Sequence, residues 1–394
     1  MKLILHITFI FSLSSLSFLY GQSAADYGFI EGVNFKDNVT YKSGLVMDIF
    51  YPDSDKMQEK NPWVVFVHGG GWAGGNMDDI YKTAFIGPLQ KLVENGVVVA
   101  TIKYRRARDG DTSYESVVDC KDAARFLLKN AELYKLHEED YGIWGGSAGG
   151  HLSLVTALVP DSNFPGEAGL SDINPMYKCI TSFYPFTSCL NADLRPGSIF
   201  ADSTLFTRLL GGTLEEKPEL ALLLSPTEFL EETSPPILLV HGNNDTTLPI
   251  INSEYMVEVA EDKNADVELL TVVNGGHSFS GNNISPSIAE IADYTTNFFL
   301  SHFSKSLSTD NVNKSLSELS LYPNPLSDVL NIDNADGATL EIYNVVGKLV
   351  LKKEIVGANQ TINLNNLKTG LYISKIKGNN KIITSKIIKQ TKRY

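Results

Sequence analysis

Residues 141–158 read YGIWGGSAGGHLSLVTAL: a short apolar run, a serine set among glycines, and an apolar segment of helix length. Glycine costs conformational entropy, so a cluster around one hydroxyl marks a place where side chains would collide with backbone or ligand. Read as strand, turn and helix, the stretch puts Ser147 on a sharp turn that throws its hydroxyl into a cleft. Gly145, Gly149 and Gly150 let strand and helix nearly touch. Ala148 then opens the helix with a backbone N–H free to meet a developing oxyanion.

Working outward, strand-length apolar runs occur at 45–51, 63–68, 97–104, 180–185, 237–242 and 267–273, with helical patterns clearest at 113–130, 253–262 and 285–300. Runs of Val, Ile and Leu that hardly alternate suit strands covered on both faces. Alternation of such strands with helices predicts a three-layer α/β domain around a mostly parallel sheet. Ligands in such folds bind at the carboxyl ends of the strands. Four of those ends carry chemistry: HGGGW at 68–72, GGSAGGH at 145–151, HGNND at 241–245 and NGGHSF at 274–279.

The glycines after His68 let a loop approach an oxyanion and donate from Gly70 and Gly71, with His68 as a loop-fixing hydrogen bonder. They fit neither the phosphate-loop spacing nor the dinucleotide fingerprint. A serine needs a base, and the base an orienting carboxylate. His6 belongs to the leader, His137 lies between a helix and a strand, and His302 follows the last helix. His151 is placed to pack beneath the elbow, and His241 runs straight into glycine and a turn. His277, on a loop after the last strand, is the candidate base, and Asp245 lies between it and Ser147 in the chain order an elbow requires. Asn243 and Asn244 are amides and cannot stabilise an imidazolium. Trp72, Tyr184 and Phe186 either line an aromatic acyl pocket or pack. Residues 186–235 form an insertion that would cover the site.

The chain has 394 residues and a formal net charge of −13. From Leu321 onward there are 11 Lys/Arg and 5 Asp/Glu, which leaves 22 basic and 41 acidic residues before them. An acidic body argues against nucleic acid or an anionic membrane as partner. The basic tail, beyond a Ser/Asn-rich linker at 305–318, is a second domain at 319–394. Met1–Gly21, with one early lysine and a short apolar core, reads as a secretory signal peptide, leaving 22–304 as the main domain and no stable membrane span. Three cysteines are too few for a disulfide framework. Cys120 falls on an apolar helical face, while pairing of Cys179 with Cys189 stays open. No spacing suggests a metal site.

Residues 26–304 resemble the α/β-hydrolase superfamily, and most of all secreted bacterial esterases of the hormone-sensitive-lipase-like and feruloyl- or acetyl-esterase-like branches. VVFVHGGGW, IKYRRA, VVDCKDAARFLLKN, IWGGSAGGH, SPPILLVHGNNDTTLP and NGGHSF carry the resemblance in order. It implies a three-layer α/β-hydrolase fold, a triad of Ser147, Asp245 and His277, an oxyanion hole of Gly70, Gly71 and Ala148, and no cofactor. Tyr104-Arg105-Arg106 departs from the Tyr-Arg-Leu common in that family. The tail resembles the C-terminal sorting domain of type IX secretion through LYPNP, LEIYNVVGKLV and NLKTGLYISKIKGNNKIITSKIIKQ. By itself it reads as a small all-β unit with lysines guarding its edges. DNADG at 333–337 starts like a calcium loop but lacks the closing glutamate, so a hairpin turn is expected. The resemblance implies an enzyme exported through the periplasm to the surface or beyond, with the secretion machinery and a small or polymeric ester as its partners. An amidase, arylformamidase-like or peptidase activity on the same triad is the alternative; from another class, it is a binding or adhesion protein on an inactive hydrolase fold, or a tail that binds carbohydrate.

Overall fold

Eight strands of the body form one sheet in the computed structural model. It describes residues 22–108, 110–194, 206, 209–303, 320–323, 326–333, 335, 337–344, 348–357, 359–378 and 381–390. The expected signal segment and linker lie outside these residues. The strands are β1 (Phe35–Lys42), β2 (Leu45–Phe50), β3 (Asn61–Val67), β4 (Val98–Ile102), β5 (Leu136–Gly146), β6 (Cys179–Phe183), β7 (Ile237–Gly242) and β8 (Val267–Val272). They run in the order β1-β2-β4-β3-β5-β6-β7-β8. β1, β2 and β4 pair antiparallel, and all pairs from β4 to β8 are parallel.

Successive residues of the central strands point to opposite faces, and both faces are buried. Val65, Ile143 and Leu239 meet one layer of helices, α2 (Ser113–Lys129), α4 (Ala148–Leu158) and α6 (Ile251–Lys263). Val64, Trp144 and Leu238 meet the other, α1 (Thr83–Glu94) and α7 (Ile288–His302). Two further helices, α3 (Ala131–Tyr134) and α5 (Pro218–Leu223), are short. This is the expected three-layer α/β-hydrolase fold. Cys120 is buried on the face of α2 that carries Val117, Ala124 and Leu127. None of the three cysteines forms a disulfide: Cys179 and Cys189 belong to clusters on opposite faces of the sheet and do not pair. No helix among the described residues is long and apolar enough to cross a membrane.

Helix α4, which starts at the elbow, is tied down at its far end. Lys121 Nζ donates to the carbonyls of Thr156 and Val159 at 2.8 and 2.9 Å and pairs with Asp161 at 3.1 Å. These carbonyls lie where a helix leaves its last acceptors without internal partners. Burial pushes the Lys121 ammonium down from its ordinary pKa, and Asp161 opposes that shift.

Asp48, on β2, is only 5% exposed and accepts one N–H, from Asn38, at 2.8 Å. Burial raises its carboxyl to about 6; the Asn38 N–H opposes the shift, and Asp37, Asp78 and Glu31 add to it. The native state therefore keeps a proton that the unfolded chain loses above about pH 4, so this group's contribution to stability falls as pH rises through about 4 to 6. Asp48→Asn is expected to stabilise the fold by about 1–2 kcal/mol at pH 8, after allowance for screening, and by about zero at pH 3. Urea midpoints at both values test this, and an equal gain at both pH values would overturn it.

The C-terminal unit, 305–394, is distinct from 1–304. One sheet holds β9 (Ser320–Tyr322), β10 (Val329–Asp333) and β13 (Asn359–Asn363); another holds β11 (Thr339–Asn344), β12 (Leu349–Glu354), β14 (Gly370–Gly378) and β15 (Lys381–Lys389). All their pairings are antiparallel. Leu330, Ile332 and Ile362 of the first share a core with Leu340, Ile342, Ile376 and Ile387 of the second. The turn expected at 333–337, part of which lies outside the described residues, is no hairpin: β10 and β11, on either side of it, belong to different sheets.

Candidate active site

Strand β5 ends at Gly146 and α4 begins at Ala148, so Ser147 alone makes the turn, at φ 57° and ψ −124°. A side-chain-bearing residue holds such a conformation only where its surroundings impose it. They do so here through the missing side chains. A Cβ at Gly149 would collide with the carbonyl oxygens of Val67 and His68, and one at Gly145 with the carbonyl of Gly149. Ser147 N–H is held by the Phe183 carbonyl at 2.9 Å. The side chain stays partly exposed.

His277 Nε2 lies 3.0 Å from Ser147 Oγ, and its Nδ1 lies 2.7 Å from Asp245 Oδ2. An ionised carboxylate only accepts, so Nδ1 carries the proton and Nε2 turns its lone pair to the serine hydroxyl. His277 stands on a tight turn, with Ser278 and Phe279 at φ 59° and 56°. Phe279 anchors that turn against Phe183 and Tyr184. Asp245 Oδ1 accepts the N–H groups of Thr247 and Leu248 at 2.8 and 3.0 Å. Burial works against the Asp245 charge, yet His241, His277 and the Leu248 N–H together hold its carboxyl well below the usual carboxylate range.

The β3 loop closes over the elbow. A Cβ at Gly69 would fall 2.8 Å from Gly146 O and 3.3 Å from Ser147 Cβ. Gly70, Gly71 and Trp72 follow with φ of 119°, 58° and 60°. Among the described residues, the N–H groups of Gly70 and Gly71 donate to no protein acceptor. Ala148 N–H is at the first turn of α4, where helical N–H groups have no internal partner. The loop that carries Gly70 and Gly71 thus borders the elbow at Gly69, and free N–H groups of this kind stabilise negative charge on an oxygen bound beside them.

His68 is buried, with Nδ1 2.8 Å from Gly69 O, and stacks on Tyr104 at 4.2 Å. Burial lowers its pKa to about 4. Arg106, the departure from Tyr-Arg-Leu, donates to Gly75 O at 3.1 Å, on the same loop. Trp72, Tyr184 and Phe186 are 1%, 1% and 0% exposed. Tyr184 backs the His277 ring edge-on at 4.7 Å, whereas Trp72 and Phe186 pack on His151.

Two histidines gain contacts that sequence reading did not foresee. His241 Nε2 donates to Leu248 O at 2.8 Å and lies 3.5 Å from Asp245 Oδ2, while Nδ1 meets Ser253 Oγ at 2.7 Å. His151 links Trp72 to Leu224 O. His241 sits four residues before Asp245 at a strand end, and that spacing was the available signal. Nothing in the sequence pointed to Leu224. Of the insertion, residues 195–205, 207 and 208 lie outside the described residues. No group of three His, Cys, Asp or Glu among the described residues could hold a metal.

Among known proteins, the mycobacterial "Probable carboxylic ester hydrolase LipM" (Mycobacterium tuberculosis H37Rv) is 28% identical over 217 residues, 52% of this chain and 46% of its own. The Arabidopsis thaliana isoprenylcysteine alpha-carbonyl methylesterase ICME is 24% identical over 250 residues, 59% and 53% of the two chains. The chain thus spans about half the length of the curated relatives it matches. A truncated carbohydrate esterase from gut microbiota shares the fold with a TM-score of 0.57 at 20% identity, over 68% of this chain and 95% of that one. Thermogutta terrifontis esterase Est2 does so at 0.56 and 23%, over 70% and 95%. Residues 320–390 match the secretion system C-terminal sorting domain. With the BD-FAE pattern matched across residues 47–260, from β2 into α6, the chain belongs to the BD-FAE family.

Proposed function

We propose that the protein is an exported serine carboxylesterase that cleaves esters through an acyl-enzyme, including acetyl or feruloyl esters of polysaccharide. The observation that carries this reading is the unbroken line Ser147 Oγ–His277–Asp245, at 3.0 and 2.7 Å. Ser147 Oγ attacks the ester carbonyl as its proton passes to His277 Nε2. The carbonyl oxygen takes the negative charge beside the N–H groups of Gly70, Gly71 and Ala148. His277 returns the proton to the departing alcohol as the C–O bond breaks, leaving an acyl-serine. Water, deprotonated by the same nitrogen, attacks the acyl carbon and releases the acid and the free serine. Asp245 holds the Nδ1–H tautomer and offsets the charge on the imidazolium. The membership in BD-FAE and the esterase relatives support the activity, and the sorting domain supports export through the periplasm by secretion machinery that reads the C-terminus.

The test is a panel of nitrophenyl esters, methyl ferulate, acetyl-xylan and matched anilides, given to the full chain and to residues 22–304 produced alone. Esters should be cleaved and anilides far more slowly, with kcat/KM of the two proteins within about twofold, since the tail offers no group to the transition state. In the native host, loss of 305–394 should strand the activity in the periplasm. Turnover of anilides but not esters would favour an amidase, inactivity on both a binding protein. Unchanged export would remove the sorting role.

A further inference from the structure

We propose that His151 is a positioning residue, which clamps the oxyanion loop through Trp72 and ties that loop to the segment between β6 and β7. This rests on Ser147 acting as the nucleophile. Trp72 Nε1–H donates to His151 Nδ1 at 3.0 Å, and His151 Nε2 lies 2.8 Å from Leu224 O. An indole N–H only donates and a carbonyl only accepts, so the ring must be neutral with its proton on Nε2. His151 and Leu224 are both 0% exposed and Trp72 is 1% exposed. Water therefore cannot take the place of either bond, and an unpaired group left there costs its full desolvation. Burial, opposed by the Leu224 carbonyl, holds the ring's pKa down to about 4, which favours the same neutral form.

The loop needs such an anchor. Three successive residues, Gly70 to Trp72, have positive φ, outside any regular ladder. Trp72 is gripped from two sides: its carbonyl accepts Ala107 N–H at 2.8 Å, and its indole meets His151. His151 is fixed relative to the nucleophile, because its own N–H donates to Ser147 O at 3.0 Å in the first turn of α4. One imidazole thus references the donors of Gly70 and Gly71 to Ser147. Its other bond reaches Leu224, which closes α5 and whose carbonyl also lies 3.6 Å from Cys189 Sγ. Phe186, from the same segment, packs edge-on to Trp72 at 6.2 Å and tilted against His151 at 5.7 Å. A shift of this segment would be felt at the oxyanion loop.

Substitutions separate the two bonds. In His151→Asn the amide oxygen stands where Nδ1 stood and still accepts from Trp72. In His151→Gln the amide nitrogen reaches toward Leu224 and the indole loses its acceptor. His151→Leu loses both, and Trp72→Phe removes only the indole donor. The full chain is assayed on an ester that the wild type turns over, with active sites titrated by a fluorophosphonate and melting temperatures measured in parallel. Misplaced oxyanion donors act on the transition state, so His151→Gln, His151→Leu and Trp72→Phe should lower kcat about 10- to 100-fold with KM within about threefold. His151→Asn should lose less than about threefold. The double variant His151→Leu/Trp72→Phe should be no slower than the slower single one, because both act through one bond. Equal kcat for His151→Asn and His151→Gln, losses that multiply in the double variant, or wild-type kcat in His151→Leu would overturn the proposal. If His151→Leu does not fold, the Asn/Gln pair and Trp72→Phe decide alone. A wild type that neither cleaves esters nor takes up the fluorophosphonate refutes the nucleophile assignment instead, which separates the two failures.

Discussion

Ser147→Ala should lower kcat/KM for any ester the protein cleaves by about 10⁵- to 10⁶-fold, roughly 7–8 kcal/mol of transition-state stabilisation, while leaving its melting temperature nearly unchanged. On the proposed mechanism the loss is large because the substitution removes the atom that forms the acyl-enzyme, and the oxyanion donors then serve water alone. The fold should tolerate it. Alanine adds no atoms at φ 57°, and the bonds that hold the turn, Ser147 N–H to Phe183 O and Ser147 O to His151 N–H, belong to the backbone. Stopped-time assays with long incubation are needed to see the residue of activity, and a fluorophosphonate should label the parent and not the variant. Turnover within tenfold of the parent would remove Ser147 from the mechanism.

Asp245→Asn should lower kcat by about 10⁴-fold with little change in KM. The aspartate holds His277 Nδ1–H at 2.7 Å through Oδ2 and two backbone N–H groups through Oδ1. In the asparagine variant the amide oxygen keeps the backbone bonds and the NH₂ turns toward Nδ1. Two donors cannot face each other, so the imidazole proton moves to Nε2. An Nε2–H facing the serine cannot accept its proton, and the nucleophile stays a neutral hydroxyl. The geometry survives while the tautomer is wrong, so binding persists and turnover does not. An Asp245→Asn protein within tenfold of wild-type kcat would mean that a different carboxylate orients the histidine.

Much of this architecture was legible because its parts are short-range. The β5–α4 turn announces itself through the clustering of Gly145, Gly149 and Gly150 around one serine, although the backbone that Gly149 and Gly150 approach belongs to two neighbouring strands, β3 and β6. The apolar runs at β3, β4 and β7 are buried on both faces and needed no long-range knowledge to be seen. Among the elements of the body that escaped are β1 and α1. β1 carries Lys36, Asp37 and Asn38 between its apolar positions, because it is the edge strand and much of it faces solvent. α1 contains Gly87 and Pro88, which read as breakers, yet Pro88 lies in the second turn and is buried among apolar side chains.

Fold class, two-part composition and the chain order of Ser147, Asp245 and His277 are written in local patterns and glycine spacing, and so could be read from the residues alone. Tertiary structure alone decided which contacts each of those residues makes. The distance from Ser147 to His277 spans 130 positions, and the bonds from His151 to Trp72 and Leu224 span 79 and 73. Such pairs leave no periodic trace. A buried histidine finds its partners only when two loops and a helix end arrive at the same place, and burial then makes those bonds obligatory.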